Sequence, residues 1–161
     1  MEKAKQIGSA LFYFVHDSKS HFKRKDLAII NCPKKVALRE EVYLRSFIMD
    51  FCIANFFHSD EKMMTAVRDV FWSAWIYHAQ KKSQKMFGAT YEECVKRLKQ
   101  YSATIKSDAR DWFYQLAKEF ASNLNSAEDI YVVMLGAAII SGGLKFIPDL
   151  IKDLYSLFSR K

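Results

Sequence analysis

Two long runs of apolar residues at three-and-four spacing, between residues 36 and 86 and joined at His58-Ser59-Asp60, constrain this chain more than any other feature. In the first, Leu38, Val42, Met49, Cys52, Ile53 and Phe56 recur on one face, and Leu44, Phe47, Ile48 and Phe51 widen it past half the circumference. A helix so apolar is expected at the centre of a bundle, touched from several sides. At about 100° per residue it leaves Arg39, Tyr43, Ser46 and Asp50 on a narrow polar stripe, with Asp50 expected in solvent. Glu41, Arg45 and Asn55 fall inside the apolar sector and need partners; Glu41 and Arg45 stand in the favourable order for an i, i+4 pair.

In the second run, Met63, Met64, Val67, Val70, Phe71, Ala74 and Trp75 line one side, and His78 falls near its middle. Trp72 and Ile76 point the other way, beside Thr65 and Asp69, so this helix has two apolar contacts. His78 with Glu41, Arg45 and Asn55 forms the candidate buried polar cluster, either a satisfied structural network or the core of a site.

Other helix signals follow the same logic. Half of the 161 residues are hydrophobic and only five are glycine and two proline, which opposes disorder and an all-β fold. Helix one is expected over about residues 3–15, followed by a weakly patterned stretch to residue 35 that holds Lys23, Arg24, Lys25 and a short apolar run at residues 27–30, expected to pack under the bundle or to form a functional loop. Pro33 marks the start of the first long helix, and Ser59 or Asp60 the cap of the second, which Gly88 ends. Thr90 with Glu93 is a capping box, Ser107 or Asp108 caps the next helix, and Ser126 with Asp129 the one after. That last segment is apolar all round to Ile140; Gly142-Gly143 is expected to stop it and Pro148 to open a final helix carrying Leu157 and Phe158. The expected fold is all-α, a single-domain bundle of six to seven helices over residues 1–161, with the basic N-terminal 35 residues packed on it. So divided, the apolar segments fall short of the roughly 20 residues that span a bilayer, and no transmembrane segment is expected.

The formal net charge of +7 is uneven. Residues 1–35 carry eight Lys or Arg against three acids and residues 81–106 seven against two, while the remainder is net acidic. Lys23, Arg24 and Lys25 with Lys81, Lys82, Lys85, Lys96, Arg97 and Lys99 make a candidate basic patch, either a solvated face or a surface for phosphate.

Chemistry-bearing motifs are scarce. Cys32, Cys52 and Cys94 lack CxxC spacing, favouring a reducing compartment such as the cytoplasm, and His16, His21, His58 and His78 are not at helical ligand spacing, so neither metal nor cofactor is expected. No phosphate-binding glycine loop is present. Cys52 and Cys94 lie on apolar faces, where a small core residue is the ordinary role. The leading expectation is a non-enzymatic bundle acting through association with itself or another protein, by Trp72 and Ile76 or by Leu157 and Phe158. The alternatives are a basic module binding nucleic acid or another polyanion, and a bundle enclosing a small apolar ligand or an active site near His78.

Overall fold

The computed structural model describes residues 1–17, 19–30, 32–106 and 111–159, with the backbone alone at Arg24, Ile29, Ser83 and Lys106. Among the described residues there are seven α-helices and no strands: α1 (Glu2–Asp17), α2 (Arg24–Ile29), α3 (Lys34–Phe56), α4 (Glu61–Lys81), α5 (Tyr91–Lys106), α6 (Trp112–Asn123) and α7 (Ile130–Leu157), plus a 3₁₀ turn at Ser83–Met86. The chain is an all-α bundle. Local start signals act as expected at Asp60 and Thr90, whereas the last helix starts at Ile130 with Asp129 rather than Ser126 as its cap. The Asp60 carboxylate accepts from the Met63 amide at 3.0 Å, Thr90 Oγ1 from the Glu93 amide at 3.3 Å, and Asp129 from the Tyr131 and Val132 amides. The Ser107 or Asp108 cap lies outside the described residues. Residues 27–29, expected under the bundle, belong to the short helix α2.

α3 is the hub, packed against α1, α4, α5, α6 and α7. It is buried nearly all round, and the expected polar stripe faces protein rather than water. Tyr43 and Ser46 are 1% and 0% exposed. Tyr43 Oη accepts from the Thr90 amide at 3.1 Å. Ser46 Oγ accepts from Trp75 Nε1 at 3.0 Å and donates to the Val42 carbonyl. Asp50, expected in solvent, receives both Arg68 Nε and Nη2 at 2.7 Å and Trp72 Nε1 at 2.9 Å. Residues 43, 46 and 50 form one row at helical spacing, so the stripe is a hydrogen-bonding seam toward α4 and the turn before α5. On another side, buried Glu40 takes a bidentate pair from Arg97 of α5.

α4 finds its closest neighbour in α1 rather than in α3. Gly8 makes this possible, because a Cβ there would lie 2.7 Å from the Val67 carbonyl oxygen and from Val70 Cβ. Val67, Phe71, Trp75 and Ala79 are the buried residues of α4.

The chief correction concerns α7. Gly142-Gly143 does not end a helix and Pro148 does not begin one; both lie inside a continuous helix of 28 residues. Tertiary contact overrides the local stop signals. A Cβ on Gly143 would meet Ile48 Cγ2 at 2.8 Å, and one on Gly136 would meet Phe120 Cδ1 at 2.8 Å, so glycine lets α7 settle onto α3 and α6. Pro148 has no amide hydrogen for the Leu144 carbonyl, a local cost the packing of Ile147 and Ile151 offsets.

The neighbouring glycines 142 and 143 therefore respond oppositely to alanine. Gly143→Ala is expected to lower unfolding free energy by about 1–3 kcal/mol through overpacking. Gly142→Ala, whose Cβ meets nothing within 4 Å, raises it by up to about 1 kcal/mol through helix propensity. Urea denaturation of the two variants checks the sign of each.

Candidate binding cleft

The expected cluster of Glu41, Arg45, Asn55 and His78 is only partly assembled. Glu41 and Arg45 do pair, at 2.8 Å with side chains 3% and 11% exposed. Their other partners come from the connection after α1. Glu41 Oε1 accepts from the His21 amide at 2.7 Å and lies 3.0 Å from His21 Nδ1, and Oε2 accepts from Ser20 Oγ. Arg45 donates to the Val15 and Lys19 carbonyls, satisfying acceptors at the open end of α1. Burial works against ionisation of Glu41, but the His21 hydrogen bonds and the Arg45 charge outweigh it and hold the carboxyl below its usual range.

Asn55 and His78 are elsewhere. Asn55 is exposed and bonds back to the Phe51 carbonyl at 2.8 Å. His78 lies on α1, its ring 4.7 Å from Phe12 and 6.1 Å from His16. His16 is the more perturbed: burial first, then the neighbouring His78, lowers its pKa from 6.5 to about 4, and its Nε2 is buried without a partner.

The Arg45 side of the cluster opens on a cleft of about 550 Å³ between α1, α3 and α7. Phe14 and Val15 line it from α1, Lys19 and His21 from the connection, Arg45 and Ile48 from α3, and Ile139, Gly142, Gly143, Phe146, Ile147, Asp149, Leu150 and Asp153 from α7. Val15, Ile48, Ile139 and Ile147 are buried core residues, so the cleft reaches the apolar interior. Its polar groups stand on opposing walls: Lys19, His21 and Arg45 on one, Asp149 and Asp153 on the other. A second hollow of about 660 Å³ lies under α2, but of its walls only Phe22 is buried, and Ser20, Leu27, Ala28, Lys34, Leu38 and Phe87 are all at least partly exposed. The first is the better enclosed. His21, Asp149 and Asp153 had no sequence signal, since the first lies in an unpatterned stretch and the acids on a helix read as broken.

The remaining candidates are distributed as follows. Trp72 bonds Asp50 and packs within 6.1 Å of Tyr91 of α5, so its own chain meets the second face of α4. Ile76 is partly exposed. Phe158 packs on the core, while Leu157 is 56% exposed. In the basic patch, Arg97 is engaged by Glu40 and Glu93. Lys23, Lys25, Lys81, Lys82, Lys85, Lys96 and Lys99 are exposed, and the Arg24 side chain lies outside the described residues. Cys52 and Cys94 are buried thiols; burial pushes Cys52 up to about 12 and Cys94 higher, leaving both un-ionised and unsuited to nucleophilic attack at neutral pH. Among the described residues no three His, Cys, Asp or Glu side chains are grouped to hold a metal ion.

Comparisons with protein-family models, curated proteins and solved structures find no match.

Two predictions separate the polar groups. Glu41→Leu leaves Arg45 buried beside an apolar side chain and is expected to cost about 3–5 kcal/mol, much of it restored in Glu41→Leu/Arg45→Met; chemical denaturation of the four-member cycle measures it. His16 titrates lower in the folded than in the unfolded chain, so it stays neutral on folding. Its contribution to stability is full above pH 6.5 and drains away as pH falls toward about 4. His16→Leu flattens the melting temperature over that window. Glu41, its pKa depressed from the ordinary 4.5, contributes stability that is full above that pH and is lost as pH falls below it, so the two windows meet at the acid end.

Proposed function

We propose that this protein binds a small, largely apolar molecule in the cleft between α1, α3 and α7. The reading rests above all on Gly142. Glycine inside a helix costs about 1 kcal/mol relative to alanine. Gly136 and Gly143 have a packing reason to be glycine, whereas a side chain at 142 would meet nothing within 4 Å and would extend into the cleft it lines. The chain thus keeps empty a space that its own residues do not use.

The shape and lining support the same reading. A volume of about 550 Å³ lies within the range of ligand pockets, and core aliphatic side chains make up its depth. Phe14 and Phe146, 41% and 60% exposed, stand on its walls and offer aromatic surface to an apolar body. Polar groups on the ligand would meet Lys19 and His21 on one side and Asp149 and Asp153 on the other. The Glu41–Arg45 pair, bonded to the chain on both ends, serves as a fixed wall that keeps the 19–21 connection in place. Nucleic-acid binding draws less support, because Arg97, the arginine of the 81–99 group, is held by Glu40 and Glu93.

Gly142→Phe is the decisive variant, since it puts a bulky side chain at a cleft-lining position whose Cβ meets no neighbour within 4 Å. Titration with a fluorescent fatty acid and, separately, with a neutral apolar fluorophore is expected to show saturable binding to the parent protein for at least one of them. The variant should bind that probe at least about tenfold more weakly, with an undiminished melting temperature. Equal binding by parent and variant, or no saturable binding of either probe, would overturn the proposal.

A further inference from the structure

The outer face of α7 changes character halfway along the helix. In the first half Ile130 and Met134 are 62% and 64% exposed, and Ala138, one turn on, is exposed as well. Continued along the same sector, the face becomes Lys145 and Lys152. The helix is long and apolar enough to cross a membrane, yet only 33% of its most apolar 18-residue window is buried. A strip of exposed apolar side chains in a helix otherwise docked on the bundle calls for a covering surface.

The neighbourhood indicates which surface. Tyr131, between Ile130 and Met134, donates its hydroxyl to Asp26 Oδ1 at 2.6 Å, and the Lys23 amide donates to Oδ2 of the same carboxylate at 2.7 Å. One buried carboxylate therefore ties the start of α2 to the first turn of α7, and Lys23 and Lys25 are exposed beside the apolar strip. Of the adjacent acids, Asp129 accepts from the helix's own amides, and Glu128, though exposed, lies 3.4 Å from Lys118. Exposed apolar residues rimmed by exposed lysines match the chemistry of an anionic bilayer surface, whose headgroups attract the cations while the apolar groups enter the acyl boundary.

We propose that the first half of α7 and the basic start of α2 form a docking surface for a membrane carrying anionic lipids. The helix lies along the membrane rather than through it. From Ile130 to Ser141 the strip is about 18 Å long, short of the roughly 30 Å hydrocarbon core. Its opposite face is held by α6, where Gly136 meets Ala117 and Phe120. A second copy of the chain fits this face less well, because a two-fold contact would gather the lysines of both copies at one interface.

The inference stands apart from the cleft and is tested separately, by co-sedimentation of the full chain with vesicles of phosphatidylcholine, with and without phosphatidylserine. Binding is expected to the anionic vesicles, at least about tenfold above the neutral ones and weakened by salt. Ile130→Asp/Met134→Asp abolishes it, and Lys23→Glu/Lys25→Glu removes the preference for anionic lipid. Because all four substituted positions are exposed, circular dichroism is expected to show parent-like helix content and melting in both double variants. Absence of binding to anionic vesicles, or binding that survives both double variants, refutes the membrane surface. Concentration-dependent dimerisation abolished by Ile130→Asp/Met134→Asp assigns the face to a second copy and refutes it equally.

Discussion

The bundle depends on a central helix that has no solvent side along its middle turns and whose polar atoms are answered from several directions at once. α3 presents Glu40 to Arg97 of α5, Glu41 to the 20–21 connection, Ser46 to Trp75 and Asp50 to Arg68 and Trp72 of α4. Each contact satisfies a group that would otherwise be stranded in an apolar interior at a cost of several kcal/mol. Apolar packing alone would allow neighbouring helices to slide or rotate about α3. Buried charges with specific partners fix the register of each neighbour, because one wrong turn leaves a carboxylate unmatched. The cleft inherits its geometry from that arrangement, since Arg45 and Ile48 are held by the same helix that aligns everything else.

Features encoded within four residues were legible in the sequence. Asp60, Thr90 and Asp129 cap because the acceptor and the open amides belong to one turn, and the Glu41–Arg45 pair follows from helical spacing alone. What escaped depends on partners far along the chain. Tyr43, Ser46 and Asp50 form a polar row in isolation, and only the approach of α4 and of the Thr90 turn converts the row into a buried seam. Gly142-Gly143 and Pro148 are stop signals on their own, yet the contact of Gly143 with Ile48 and the burial of Ile147 and Ile151 hold the helix through them. His78 was placed on the right side of α4 but turned toward α1, because the tight crossing at Gly8 decides which neighbour that side meets. His21, the exposed member of the Glu41 cluster, lies where no periodicity exists to be read.

The two surfaces inferred from the fold divide α7 between them. One side lines the cleft, the outer side of its first half lies open, and the side carrying Val132, Val133, Gly136 and Ile140 belongs to the core. Three environments on one helix explain why its composition looks uniformly apolar and gives no polar face to orient it. Hydrophobic periodicity is informative only where water marks one side, and here two of the three sides are apolar for different reasons.

Pro148 gives the cleft walls unequal stiffness. The α3 wall is clamped by ion pairs and close packing, whereas the α7 wall runs through two glycines and then a proline that withholds a hydrogen bond from Leu144. Such a segment bends at lower cost than the turns on either side of it. The α7 flank of the opening between Phe14 and Phe146 is thus less firmly braced than the floor at Ile48, a softer shutter set against a rigid frame.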